Sequence, residues 1–342
     1  MKQYFYIALV TALFACQPKE EAINKPSATT TEVNDTAVET VDYILNTLNE
    51  KVRADINNID LYLTRADYYL DQENPKEAMQ DINRAFEMDT TYLPTLLKQS
   101  DFLTKSGKLE LSQNILDRTN KLYPKNSEVQ IGYSKLFLVA RNNTKSIAYA
   151  DLAIKYDLYN AEAYYLKGYN FLETGDTTTA ISSYQTAVEQ DPDYFNAYLE
   201  LGLVYSEKND PIALDYFNNA LLIKPYERRV LYSKGMFEQE HEMYNEAMYT
   251  YTVAIKQHPD FREAHYNMGF VHLFYLKLYR ESQQYFTDAI QADPRYKEAY
   301  YNRGYAFEML GDINNAAKDY RKALEVDPSY DFAAQGLSRL NN

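Results

Sequence analysis

A small side chain returns along this chain at nearly constant spacing: Ala66, Ser100, Ser134, Gly168, Gly202, Gly235, Gly269, Gly304. The intervals are 34, 34, 34, 34, 33, 34 and 35 residues. A period of this length means a chain built by adding similar supersecondary units rather than by closing one central core. The usual inference of two domains from 342 residues therefore does not apply. Around each small residue the apolar spacing is helical, and the stretch from Lys297 to Tyr330 shows it most clearly. It predicts one helix over about Glu298 to Leu310 and a second over Ile313 to Val326, with Gly311-Asp312 between them and Pro328 ending the second.

Further positions recur in register. Twelve residues beyond Gly304, or a nearby count in other copies, stand Ala78, Ser112, Ser146, Ala180, Ala213, Ala247, Ser282 and Ala316. Seven residues on again stand Ala85, Thr119, Ala153, Ala187, Ala220, Ala254, Ala289 and Ala323. Small residues on both helices let two axes approach, and Gly304 is expected to face Ala316 across the pair. Two copies are irregular: Asn209-Asp210-Pro211 shortens one by a residue, and Leu276 to Arg280 lengthens another without a glycine.

Tyr300, Gly304, Ala316, Tyr320, Ala323 and Pro328 together resemble the tetratricopeptide repeat (TPR). The resemblance implies an all-α, right-handed α-solenoid of about eight helix pairs over residues 59–330, with capping helices at 41–58 and 331–342. The N-terminal cap centres on a helix from Val41 to Lys51. The first three copies match by register more than by residue, and the last five match by both. The family places the first helix of each pair on a concave channel, with the fifth and ninth positions looking in. In the last five copies these include Tyr165, Tyr169, Leu203, Tyr232, Met236, Tyr266, Phe270, Tyr301 and Tyr305, edged by Glu162, Glu173, Glu207, Glu240, Glu263, Glu298 and Glu308. At the ninth place the first three copies carry Asp67, Asp101 and Lys135.

Tyrosine offers a flat apolar ring and a hydroxyl at small conformational cost, which suits recognition of a polypeptide segment. The chain has 35 Tyr and no Trp. Lysine and asparagine, which chaperone-binding members of the family use to hold a carboxylate, are scarce in this channel. A basic or neutral partner segment is expected instead. The formal charge of −14 opposes nucleic acid.

Residues 1–15 read as an export signal, with one lysine before an apolar run too short to span a bilayer. Leu13-Phe14-Ala15-Cys16 resembles the lipobox of bacterial lipoproteins, which implies lipid attachment at Cys16, the one cysteine of the chain. A flexible tether fills the rest of 16–40. No aspartate follows Cys16, and Gln17-Pro18-Lys19-Glu20-Glu21 resembles the export mark of surface lipoproteins of the Bacteroidota. These features imply the outer membrane, at its periplasmic face or at the cell surface, with the lipid as the sole membrane contact.

No phosphate loop, nucleophile elbow or metal-ligand spacing is present, so no enzyme activity, metal or cofactor is expected. His265 and His272 occupy packing positions, and His241 and His258 lie near helix ends. The function implied is a protein-binding adaptor or scaffold for envelope proteins. Two alternatives remain: a surface glycan-binding lipoprotein, and a structural part of a secretion or gliding complex.

Overall fold

The computed structural model describes residues 33–340. Cys16, the leader and most of the expected tether lie outside the described residues. Helix α1 spans Val33–Ala54, so it begins within the stretch read as tether. Between Pro26 and α1 no proline or glycine stands to stop a helix from growing backward. Two units meet between Leu61 and Tyr62, with α1 in the first and the array, from within α2 onward, in the second.

Eight helix pairs follow: α2 Ile59–Asp71 and α3 Pro75–Met88; α4 Leu93–Lys105 and α5 Leu109–Leu122; α6 Ser127–Val139 and α7 Asn143–Tyr156; α8 Ala161–Glu173 and α9 Thr177–Gln190. Then come α10 Phe195–Glu207 and α11 Ala213–Ile223; α12 Arg228–Glu240 and α13 Tyr244–Gln257; α14 Arg262–Phe270 and α15 Tyr279–Ala292; α16 Lys297–Met309 and α17 Ile313–Val326. Helix α18, Asp331–Leu340, ends the array. No strand occurs among the described residues, and the architecture is an all-α repeat solenoid.

Local chemistry sets the boundaries. Asn126, Asn142, Asn160, Asp176 and Asp312 each accept a backbone N–H with the side chain at a helix start. Two residues beyond each first helix stands a residue with positive φ: Glu73, Gly107, Arg141, Gly175, Asn209, Glu242, Lys277 and Gly311. Glycine fills that conformation in three pairs, and five pairs force an L side chain into it.

The pairs are joined by a ladder of fully buried small residues. Ala78, Ser112, Ser146, Ala180, Ala213, Ala247, Ser282 and Ala316 are all inaccessible, as are the eight residues from Ala85 to Ala323 in the next register. The expected partner of Gly304 is only half the contact. A Cβ there would stand 3.2 Å from the Ala316 carbonyl oxygen and 3.0 Å from the ring of Tyr320. The five glycines from Gly168 to Gly304 face Tyr184, Phe217, Tyr251, Phe286 and Tyr320 in turn. Where the first helix has Ala66, Ser100 or Ser134, the second carries the smaller Ile82, Leu116 or Ala150 at the aromatic's place. Volume removed from one helix is thus returned by the other. In the third pair Ser134 and Ser146 donate to each other's carbonyl oxygens at 3.0 and 2.8 Å, so the buried hydroxyls are satisfied.

The two irregular copies are absorbed inside helices. Deletion in the fifth pair shortens α11, whose approach uses tight bonds such as Asp215 N–H to the Ile212 carbonyl. The extra residue of the seventh pair does not lengthen the turn at Leu276–Arg280 as expected. It widens the end of the first helix into a π-helical turn, Val271–Tyr275, with Leu276 N–H bonded to the Val271 carbonyl at 3.1 Å. A five-residue bond spacing takes up one residue while Gly269 stays on Phe286 and Lys277 keeps its positive φ.

Candidate functional site

Several first helices touch the next one along: α4 meets α6, α6 meets α8, α10 meets α12, and α16 meets the terminal helix α18. They therefore share a face, and all nine residues expected on it are half-buried. The structure sorts them into two groups.

The fifth-place tyrosines fill seams between pairs. Tyr165 has its ring centre 5.7 Å from Tyr184 of its own second helix and 5.4 Å from Tyr194 at the entry to the next pair. Tyr266 repeats this with Phe286 at 5.7 Å and Tyr296 at 5.0 Å, and its hydroxyl accepts from Asn302 at 2.9 Å. Tyr301 lies against Tyr320, Tyr330 and Phe332. Tyr232 lies 6.0 Å from Phe261. Burial raises the phenol pKa of all four. Their first duty is to join pairs, and what they offer a partner is the exposed remainder.

The ninth-place residues Tyr169, Leu203, Met236, Phe270 and Tyr305 sit one helical turn further along. Tyr169 leans on Tyr165 at 6.3 Å, and Met236 accepts a bond on sulfur from Asn267 at 3.1 Å. Phe270 meets Phe274 at 4.5 Å, and Phe274 stacks on Tyr305 at 5.9 Å. Phe274 thus carries the aromatic row from the seventh pair to the eighth. It comes from the π turn, and the 35-residue interval was the signal in the sequence that something was inserted there.

The acidic edge is less negative than a residue count suggests. Glu162 pairs with Lys135 at 2.6 Å, Glu263 with Arg262 at 2.7 Å and Glu308 with Arg339 at 3.0 Å. Glu298 lies 4.0 Å from Lys297. Burial acts against the charge of Glu308, but bonds from Arg339 and the Tyr320 hydroxyl outweigh it and hold the carboxyl below its usual range. Glu173, Glu207 and Glu240 are exposed. Glu200, absent from the expected set, is the most sheltered acid on this face: its side chain is 12% exposed, 3.6 Å from Arg229.

Across the first three pairs the same face changes character. Asp67, Lys98, Asp101, Lys105, Glu128 and Lys135 line a cavity of about 330 Å³. Lys98 bonds to Asp67, and Lys105 to Asp101 at 2.8 Å. The ninth-place residues Asp67, Asp101 and Lys135 foretold the charge, while the cavity arises from packing. The histidines serve packing: His265 bonds to the Pro259 carbonyl at 2.9 Å, and His272 lies 4.8 Å from the ring of Tyr285.

Three segments match models of this repeat: residues 59–92 and 298–330 match the tetratricopeptide repeat, and 168–209 the TPR repeat. Human tetratricopeptide repeat protein 6 is 25% identical over 182 residues, covering 52% of this chain and 35% of that protein. The chain thus spans about a third of that relative's length. The crystal structure of the APC/C hetero-tetramer Cut9–Hcn1 superposes with a TM-score of 0.55 at 16% identity, covering 90% of this chain and 60% of that one. The C-terminal part of a TPR repeat-containing protein from Cytophaga hutchinsonii superposes with a TM-score of 0.60 at 16% identity, covering 70% of this chain and 99% of that one. The chain therefore carries tetratricopeptide repeats. Proteins built from them act generally as non-enzymatic adaptors or scaffolds that bind peptide or protein partners.

Proposed function

We propose that this chain is a lipid-anchored adaptor of the outer membrane, a TPR scaffold that holds envelope proteins against the shared face of its first helices. The observation that carries the binding face is the half-exposed row Tyr169, Leu203, Met236, Phe270 and Tyr305. A ring left partly open beside a packed seam can bury more apolar area on a partner without rearranging the seam. The anchor rests on Cys16 and the residues before it, which resemble a lipobox. The acids along the face favour a partner segment that is basic or neutral.

Two experiments separate these parts. Full-length protein should retain a polypeptide from detergent-solubilised envelopes, and the triple variant Tyr169→Ala, Phe270→Ala, Tyr305→Ala should lose it while its helical circular dichroism stays unchanged. Equal capture by the triple variant would exclude the aromatic row. Mass spectrometry of the mature N-terminus should find acyl groups on Cys16, and Cys16→Ser should release the protein from membranes. An unmodified thiol would refute the anchor and leave the binding face standing.

A further inference from the structure

The turn that joins the two helices of a pair carries a positive-φ residue in every copy. Just before that residue stand Gln72, Ser106, Ala140, Thr174, Lys208 and His241, then Leu276 and Leu310 in the last two pairs. The same backbone conformation is thus reached with polar or small residues in the other pairs, so its geometry does not call for leucine. Around Leu276 and Leu310 further apolar side chains lie open. Phe274, Tyr275, Leu276, Leu278, Leu310 and Ile313 are each 38 to 45% exposed.

Ring contacts join these turns to each other. Tyr275 stacks on Tyr244 of the sixth pair with ring centres 4.2 Å apart, and Phe274 stacks on Tyr305 of the eighth at 5.9 Å. The five residues from Phe274 to Leu278 are exposed in succession, which is the form of a projecting turn and not of a groove. Lys277 stands between two leucines and Arg280 follows, both exposed and without an ion pair among the described residues. Glu281 is the one acid from 274 to 281, and Asp312 in the next turn is engaged by the Asn315 backbone N–H at 3.1 Å.

We propose that the turns of the seventh and eighth pairs, led by Leu276, Lys277, Leu278 and Leu310, rest on the surface of a phospholipid bilayer. The proposal draws on the anchored reading, in which a lipid at Cys16 holds the chain beside a membrane, and it adds a contact made by the array itself. A contiguous open apolar patch is a site of association, whereas the single exposed apolar residues of other pairs need no partner. A bilayer interface takes up a projecting apolar turn without needing a complementary groove. Tyrosine rings settle at headgroup depth, and a lysine set between leucines can extend its ammonium to lipid phosphates while its stem stays among apolar groups. Among the described residues no helix is long and apolar enough to cross a membrane, so the contact is with one surface.

The chain has no tryptophan, so a single introduced one reports its own surroundings. Leu276→Trp, Leu310→Trp and, at the same place in the fourth pair, Thr174→Trp are made in the full-length protein and in its Cys16→Ser form. Each is reconstituted with vesicles of phosphatidylethanolamine and phosphatidylglycerol that carry brominated acyl chains. Emission from positions 276 and 310 should shift to the blue and be quenched, and emission from position 174 should do neither. Adding Leu276→Ser and Leu278→Ser to the Leu310→Trp protein should remove most of the quenching, with circular dichroism unchanged. Quenching at 276 and 310 that persists in Cys16→Ser, or in a protein whose Cys16 proves unmodified, would support the contact without the anchor. Unquenched emission at both positions, or equal quenching at 174, would overturn the contact, while sedimentation with the vesicles reports the anchor separately. A blue shift that appears only with solubilised envelope proteins and resists brominated lipid would assign the turns to a polypeptide and overturn the proposal.

Discussion

The ring of Tyr251 occupies the space that a side chain at Gly235 would need: a Cβ there would lie 2.5 Å from the ring carbon Cε1. The ring is fully buried and cannot step aside. Gly235→Ala should therefore destabilise the protein by about 1–3 kcal/mol through overpacking, even though alanine gains about 1 kcal/mol of helix propensity. Combining it with Tyr251→Leu, the arrangement of Ser100 and Leu116 in the second pair, should recover part of the loss. Urea denaturation measures both. A neutral Gly235→Ala would show that the ring contact does not limit the approach of the helices.

The turns between paired helices offer a test of backbone strain. Glu242 and Arg141 hold φ of 61° and 57° where Gly175 and Gly311 stand in other pairs. An L residue in this conformation costs about 1–2 kcal/mol, partly offset by the greater freedom glycine has when unfolded. Glu242→Gly and Arg141→Gly should each raise stability by about 0.5–1 kcal/mol. Gly175→Ala should lower it, and since no atom lies within 4 Å of the added Cβ, the loss would be conformational alone. Thermal melts of the three variants give the answer, and a loss in Glu242→Gly would contradict the strain assignment.

The three buried tyrosines should respond differently to loss of their hydroxyls. Tyr320→Phe removes a bond to a carboxylate and should cost about 1.5–3 kcal/mol. Tyr251→Phe loses neutral bonds and should cost about 1 kcal/mol. Tyr184→Phe should be neutral or stabilising, because no group among the described residues bonds that hydroxyl. Chemical denaturation with a common m-value compares them, and an equal loss in all three would contradict the different surroundings.

Stability should also depend on pH in two opposed ways. Burial raises Glu238 and Glu200 above their ordinary 4.5, despite the Thr250 hydroxyl and Lys234 at Glu238 and Arg229 at Glu200. The folded chain then holds those protons more tightly than the unfolded one. Their contribution is complete below the ordinary value and is lost as pH rises through the raised one. Asp327 behaves in the opposite sense. The Lys297 ammonium and the Ser329 hydroxyl and N–H lower it from 3.8 to about 2, so its contribution holds above the ordinary value and fades toward about 2. The melting temperature should rise as pH falls from neutral toward the ordinary 4.5 of a glutamate and fall again below the ordinary 3.8 of an aspartate. Glu238→Gln should flatten the upper limb, and an unchanged upper limb would contradict the assignment.

Much of the fold was legible because one steric rule repeats. A first helix can approach its partner only at a small residue, so Ala66 to Gly304 gave away the register, the number of pairs and most helix ends. The ring opposite each glycine was less visible, since Tyr184, Phe217 and Phe286 read simply as apolar residues. The fifth-place tyrosines were expected to look into the channel, and Tyr165 and Tyr266 also close seams with Tyr194 and Tyr296. Those contacts join residues about thirty positions apart, which local periodicity does not encode. The same limit hid Arg339 on Glu308 and Arg229 beside Glu200. Phe274 was missed because the inserted residue was assigned to the turn, whereas a π turn took it up.

Crosslinking tests the central claim most directly. A photoreactive phenylalanine analogue placed at Tyr169, Met236 or Tyr305 probes the first-helix face, and one at Tyr249, a 70% exposed residue of α13, probes a second helix. Irradiation of cells carrying the full-length chain should give a common polypeptide adduct from the first three positions and none from Tyr249. An adduct from Tyr249 alone would contradict the assignment of the binding face.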